Sequence, residues 1–299
     1  MKISEGYMPY LGYQTYYRIV GDPNPTKKPL ILLHGGPGSS HNYFELLDKL
    51  AIEDNRQLIM YDQLGCGLSA TPSRPDLWCS KTWMEELIAL RDFLNLEDCH
   101  ILGQSWGGML AIEYLCDYAP KGISSVILSS TLPSSELWSQ EQHRLIKLMS
   151  DEHQAAIKWA EEHNDFTRPE YLEANDVFMQ LHAGDIPDET SPEPLRRKKA
   201  SGEEAYITAW GPNEFHPNGN LSNWDYRDKL STITIPTLVT SGTNDLSTPL
   251  IAKTMADGIP NAEWTLFPYS RHMPFVEENE DYIALLKTWL NKIDSQKSS

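Results

Sequence analysis

Short apolar runs separated by amphipathic stretches set the pattern of the chain. Residues 30–33, 57–61, 99–102 and 125–129 are mostly apolar, and residues 41–50, 81–95 and 107–117 between them repeat apolar positions at helical spacing. Runs of this length are strand-sized, and strands covered on both faces read as continuous apolar segments rather than alternating ones. Their alternation with helices predicts an α/β fold with right-handed crossovers and a mostly parallel central sheet. Residues 1–20 precede these elements and alternate in the manner of a β-hairpin.

From Pro133 to about Leu230 the pattern changes to amphipathic helical stretches rich in Glu, Lys, Trp and His. Breaks fall at Arg168-Pro169, Ile186-Pro187 and 191–194, since proline starts a helix well and is not tolerated inside one. Strand-like runs resume at 235–241 and 263–267. The order predicts a core in two parts, 1–132 and 231–299, interrupted by a helical cap at 133–230, with a pocket where the parts meet. No internal repeat is visible, and the Ser/Lys-rich end at 294–299 reads as a frayed tail.

Composition narrows the class. With 299 residues, 40 % hydrophobic content and nine tryptophans the chain can bury a large core. No apolar run approaches a membrane span and no charged start leads into an apolar stretch, so a cytoplasmic, membrane-free protein is expected. Cys66, Cys79, Cys99 and Cys116 are widely spaced, which argues against a zinc site and against a disulfide framework. Cys66 lies in a loop expected near the site, where a thiol reagent would block it unless the thiol is simply buried. The net charge is −17, and residues 133–230 carry 19 acidic against 10 basic residues, about twice the acidity per residue of the remainder. Such a surface draws in cationic amines, repels nucleic acid, and also serves plain solubility. The one basic cluster, 196–199, is too small for a nucleic-acid site.

Chemistry enters at Gly103-Gln104-Ser105-Trp106-Gly107, where the run at 99–102 passes into a helical stretch. A serine on a strand-to-helix turn flanked by glycines is the pattern of a nucleophile elbow. A hydroxyl needs a base, and the base needs an orienting acid. In folds using this elbow they follow in the order acid, then histidine. Asp245 lies just beyond the run at 235–241 and His272 just beyond the run at 263–267. Asp245 also suits a turn cap before Thr248-Pro249, and His216, in a Pro/Asn/Gly-rich loop, is a second candidate base. Among the other histidines, 143, 153, 163 and 182 lie in polar helical stretches and read as solvated, while 34, 41 and 100 precede the elbow. The loop His34-Gly35-Gly36-Pro37-Gly38 follows a strand and is placed to supply an oxyanion donor from Gly36, with the second from the Trp106 N–H. A phosphate cradle is the other use of such glycines, but the Lys-Ser/Thr of a phosphate loop is missing.

The segments Leu33-His-Gly-Gly-Pro-Gly38, Tyr61-Asp-Gln-Leu-Gly-Cys-Gly-Leu-Ser69, Gly103-Gln-Ser-Trp-Gly-Gly108 and Gly211-Pro-Asn-Glu-Phe215 together resemble the proline iminopeptidases (prolyl aminopeptidases) of the α/β-hydrolase superfamily. The resemblance spans nearly the whole chain. It implies an α/β-hydrolase fold, a serine peptidase that releases an N-terminal residue, usually proline, from small peptides, and no metal or cofactor. It also implies that Glu214 holds the substrate's free amine, as a carboxylate facing an ammonium would. One position departs from the family: a second glutamate often follows the catalytic aspartate, and Leu246 stands there. That substitution keeps an amino-acid amidase or esterase open as an alternative, and a non-catalytic binding protein on the same scaffold is the third reading. The oligomeric state is not legible.

Overall fold

The computed structural model describes residues 2–198, 200 and 202–296. Lys199 of the basic cluster and residues 297–299 of the tail lie outside the described residues. Eight strands form one sheet: β1 (Ile3–Tyr10), β2 (Tyr13–Val20), β3 (Leu30–Leu33), β4 (Leu58–Tyr61), β5 (Cys99–Gln104), β6 (Ile123–Ser129), β7 (Thr237–Gly242) and β8 (Ala262–Phe267). Their order across the sheet is β1-β2-β4-β3-β5-β6-β7-β8. β2 runs antiparallel to both β1 and β4, and the other pairs are parallel.

The apolar runs are strands because both of their faces are covered. Ile31, Leu33, Ile59, Tyr61, Ile101, Val126, Leu128 and Val239 join one core; Leu30, Leu32, Leu58, Met60, Leu102, Ile127 and Leu238 join the other. Successive side chains on a strand point to opposite faces, so alternate residues feed alternate cores. The first core is closed by the helices Ser80–Phe93, Trp106–Glu113 and Pro249–Gly258, the second by the segments at 41–53 and the long helix Asn279–Gln296.

Two boundaries differ from the pattern. The first expected helix is a 3₁₀ segment, His41–Leu47, continued by a short α-helix, Asp48–Glu53. The helix after the elbow is α-helical only to Glu113 and then widens into a π turn, Tyr114–Tyr118, ending at Ala119 with φ 42°. Asp117 on that turn meets the Tyr226 hydroxyl and Lys229, tertiary contacts that helical periodicity does not encode.

Between β6 and β7 the chain leaves the sheet to form the helices Ser135–Ile146, Asp151–His163, Pro169–His182 and Glu203–Ala209. Ser134 and Ser150 cap the first two by accepting from Leu137 N and His153 N, and Pro169 opens the third. The two ends of this excursion are fastened together. Ser134 and Asp225 form an isolated bridge, Ser135 N donates to Trp224 O at 2.9 Å, and Tyr226 N donates to Pro133 O at 2.8 Å.

The C-terminal helix is tied to the sheet by a buried charge network. Arg56, fully buried, donates to Asp54 at 2.9 Å, to Asp294 at 2.8 Å and to the Lys28 carbonyl at 2.5 Å. Removing one partner of such a network strands the other charge in a low dielectric, which costs about 3–5 kcal/mol. Arg56→Met is therefore expected to lower unfolding free energy by roughly 3 kcal/mol or more, read from the urea midpoint followed by tryptophan fluorescence.

Candidate active site

Ser105 stands where β5 ends and the helix Trp106–Glu113 begins, with φ 53° and ψ −121°. A side chain at positive φ costs about 1–3 kcal/mol and persists only where its surroundings hold it. The holds are on both sides of the residue: Ser105 N donates to Ser129 O at 3.0 Å, and its carbonyl accepts the Thr131 hydroxyl at 2.6 Å. Glycine is required on either flank by close approach. A methyl on Gly107 would run into the Leu33 carbonyl, and one on Gly103 into the Gly107 carbonyl. Trp106 opens the helix, so its N–H lies in the first turn, where no intrahelical acceptor exists.

Asp245 lies three residues beyond β7 and is buried. Its Oδ2 accepts from Gly242 N at 3.1 Å, and its Oδ1 accepts from Ser247 N at 2.8 Å and lies 2.7 Å from His272 Nδ1. The carboxylate thus closes its own turn and is also hydrogen-bonded to the imidazole. An Nδ1–H donated to Asp245 leaves Nε2 as the acceptor of the ring. Burial works against the charged form of His272, yet the charge and hydrogen bond of Asp245, with the charges of Glu214 and Glu277, outweigh it and raise the pKa above the ordinary imidazole value.

The strand order brings these groups to one edge, since the residues follow β5, β7 and β8, which run parallel. Gln104 Nε2 reaches the His272 carbonyl at 3.4 Å. Trp138 meets the His272 ring edge-to-face at 5.9 Å and also walls a narrow cavity with Ser105. Gly36, Trp106, Met109, Leu132, Trp210 and Glu214 complete that cavity.

The loop after β3 passes directly over the serine. A methyl on Gly35 would crowd Gln104 Oε1 and the Ser105 Cβ, and Gly36 adopts φ 112°, a conformation that favours glycine. Gly35 N donates to the Tyr43 hydroxyl at 2.6 Å, and that hydroxyl donates to Gln104 Oε1 at 3.0 Å, which ties the loop to the strand carrying Ser105.

Glu214 is aimed by its neighbours. Asn213 Oδ1 accepts from Phe215 N at 3.1 Å and from His216 N at 2.8 Å, a side-chain-closed turn. Trp138 Nε1 donates to the Glu214 carbonyl at 2.8 Å, and the Tyr206 hydroxyl donates to its Oε1 at 2.8 Å. Burial pushes the Glu214 pKa above the usual carboxylate range, against the opposing pull of the His272 charge and the Tyr206 hydrogen bond. Leu246, by contrast, is buried among apolar side chains, and its carbonyl accepts from Gln142 Nε2 at 2.7 Å.

His182, read as solvated, is half-buried with Nδ1 3.0 Å from the Asn244 carbonyl, beside Asp245. His216 Nδ1 sits 3.5 Å from Glu161 Oε1 and its ring packs on Phe166, away from Ser105. His143 is half-buried rather than solvated and pairs with the same Glu161 carboxylate at 2.9 Å. Among the described residues, no group of three or more His, Cys, Asp or Glu side chains is arranged to hold a metal. No described helix is long and apolar enough to cross a membrane. Sequence reasoning passed over Trp138, Trp210 and Tyr206; the tryptophan content of residues 133–230 was the available signal for the first two.

A family model for the alpha/beta hydrolase fold matches residues 28–279. The chain is similar to a proline iminopeptidase of Clostridium botulinum, 62 % identical over 98 % of this chain and 100 % of that protein. It is also similar to one of Lactobacillus helveticus, 58 % identical over 98 % and 100 %. Among solved structures, a proline iminopeptidase of Mycobacterium smegmatis superposes with a TM-score of 0.86 at 31 % identity, covering 98 % of this chain and 100 % of that one. VinJ superposes at 0.88 with 31 % identity, covering 97 % and 99 %. Fold, sequence and whole-length likeness agree, and the chain belongs to the proline iminopeptidase family of the α/β hydrolases.

Proposed function

We propose that this protein is a serine aminopeptidase that releases an N-terminal residue, preferably proline, from small peptides. The observation that carries the reading is the placement of one carboxylate, Glu214, in the same small tryptophan-walled cavity as Ser105. The other side chains beside Ser105 there are apolar or aromatic, and Glu214 gives the substrate's free amine a charge-assisted partner.

In this reading Ser105 Oγ attacks the carbonyl of the first residue while His272 Nε2 takes its proton, and Asp245 holds the imidazole in that tautomer. Gly36 and Trp106 N–H groups receive the oxyanion. The C–N bond breaks as His272 returns the proton to the leaving amine. Water, deprotonated by the same histidine, then hydrolyses the acyl-enzyme. Residues 133–230 act as a cap, supported by the fact that Trp138, Trp210 and Glu214 all come from that segment. Its acidic excess favours cationic amines over nucleic acid. We place the enzyme in the cytoplasm, on the free thiols at Cys66, Cys79, Cys99 and Cys116.

Leu246 favours a second reading, an amino-acid amidase or esterase, because only one carboxylate then faces the amine. Anilides of proline, alanine and leucine, free and N-acetylated, separate the two. The proline anilide should be cleaved fastest and its acetylated form left intact; comparable cleavage of the acetylated form would reject the aminopeptidase. Ser105→Ala should lower kcat/KM by roughly 10⁴- to 10⁶-fold while the protein stays folded.

Glu214 and His272 also predict a pH effect. Because His272 acts only when neutral and its pKa is raised, kcat/KM should climb with pH through a value above the ordinary imidazole pKa of 6.5. Glu214→Gln removes a charge that favours imidazolium, so the acid limb should move to lower pH. The same variant weakens the hold on the substrate amine, which should cost about 1.5–3 kcal/mol in kcat/KM. A pH–rate profile of the variant that superposes on the wild type would overturn both assignments.

A further inference from the structure

The segment 61–69 matches a family motif, yet none of its residues takes part in the reaction described above. We propose that Gln63 is a positioning residue for the oxyanion hole, its carboxamide tying the loop that carries Gly36 to the turn that carries Trp106. The inference rests on the serine-hydrolase reading and adds to it the device that sets the spacing of the two donors.

Gln63 is buried just beyond β4. Its Nε2 donates to the His34 carbonyl at 3.0 Å, and its Oε1 accepts from Trp106 Nε1 at 2.8 Å. An indole can only donate and a carbonyl can only accept, so the carboxamide has a single workable orientation. The backbone adds a third tie: Gln63 N donates to His34 Nε2 at 3.0 Å. His34 Nε2 is then an acceptor, the ring proton sits on Nδ1, and Nδ1 donates to the Gly35 carbonyl at 2.9 Å. The peptide that leads into Gly36 is thereby held from both ends.

Topology explains why a side chain is needed. β4, β3 and β5 are neighbours in that order, so a link from the end of β4 to the turn after β5 spans two strand spacings, about 9–10 Å. A glutamine meeting a tryptophan covers that distance across the exit of β3. Gln63 itself is clamped. Asp62 accepts from His41 N at 2.8 Å and from Leu68 N at 2.7 Å, and pairs with His41 Nδ1. Leu64 N donates to Glu86 at 3.0 Å, and the Leu64 carbonyl accepts from Trp83 Nε1 at 3.0 Å. The Gln63 carbonyl accepts from Cys66 N at 3.2 Å and from its Sγ at 3.0 Å.

Loss of an oxyanion donor costs about 10²–10³-fold, and displacement of a catalytic group by an ångström can approach the lower figure. The test compares Gln63→Met, which keeps length and removes both side-chain bonds, with Trp106→Phe, which removes the indole donor and keeps a smaller aromatic ring. kcat and KM are measured on proline anilide, together with Ki for a proline boronic acid, whose tetrahedral adduct occupies the oxyanion site. Each variant should lose about 10–100-fold in kcat with little change in KM, and Ki should rise in parallel. The double variant should be no worse than the poorer single one, since both break the same link. Unchanged kcat, or a fall in kcat with unchanged Ki, would overturn the proposal. If Gln63→Met does not fold, Trp106→Phe decides by the same two readouts. An inactive wild type would overturn the peptidase itself, a result distinct from an active wild type with indifferent variants.

Discussion

At the end of β5 three stretches of backbone pass one another at contact distance, and the whole site depends on that crowding. Gly107 lies against the Leu33 carbonyl, Gly103 against Gly107, and Gly35 above the Ser105 Cβ. No side chain fits between the glycines, and the turn at this crossing carries the serine. Interiors at this density do not deform continuously. The strained φ of Ser105 is held in this packing by the bonds of its N–H to Ser129 and of its carbonyl to Thr131.

The fold was readable because burial on two faces writes itself as continuous apolar runs, and each run became a strand. The meeting of Asp245 with His272 was readable because each lies in the loop after a strand, where parallel strands gather their ends. What escaped notice has a common physical form. Trp138 and Tyr206 reach the site through hydrogen bonds from helices far along the chain, and Gln63 meets Trp106 across 43 positions. Such pairings leave no periodicity. The half-buried His143 escaped for the opposite reason: its helix is polar, and only the packing of a second helix bearing Glu161 covers it.

Charge around the imidazole is arranged with little redundancy. Asp245 commits one oxygen to its own turn and shares the other between Ser247 and His272, so its position is not free to follow the ring. Glu214 lies where it both supports the imidazolium and faces the pocket. A cationic ligand beside Glu214 would compete for that support. In the proposed reaction, binding and base strength would therefore be coupled through one carboxylate, while the position after Asp245 is filled by Leu246, turned into the apolar core.

The joined ends of the segment between β6 and β7 bear on how the cavity is built. Ser134 and Asp225 are bridged, and the backbone bonds on either side close the chain like a clasp. β6 and β7 pair directly with each other on the sheet side of the clasp, so the length of the segment beyond it does not set their register. Trp138, Trp210 and Glu214, half the side chains that line the cavity beside Ser105, thus hang from a seam that folds shut on itself.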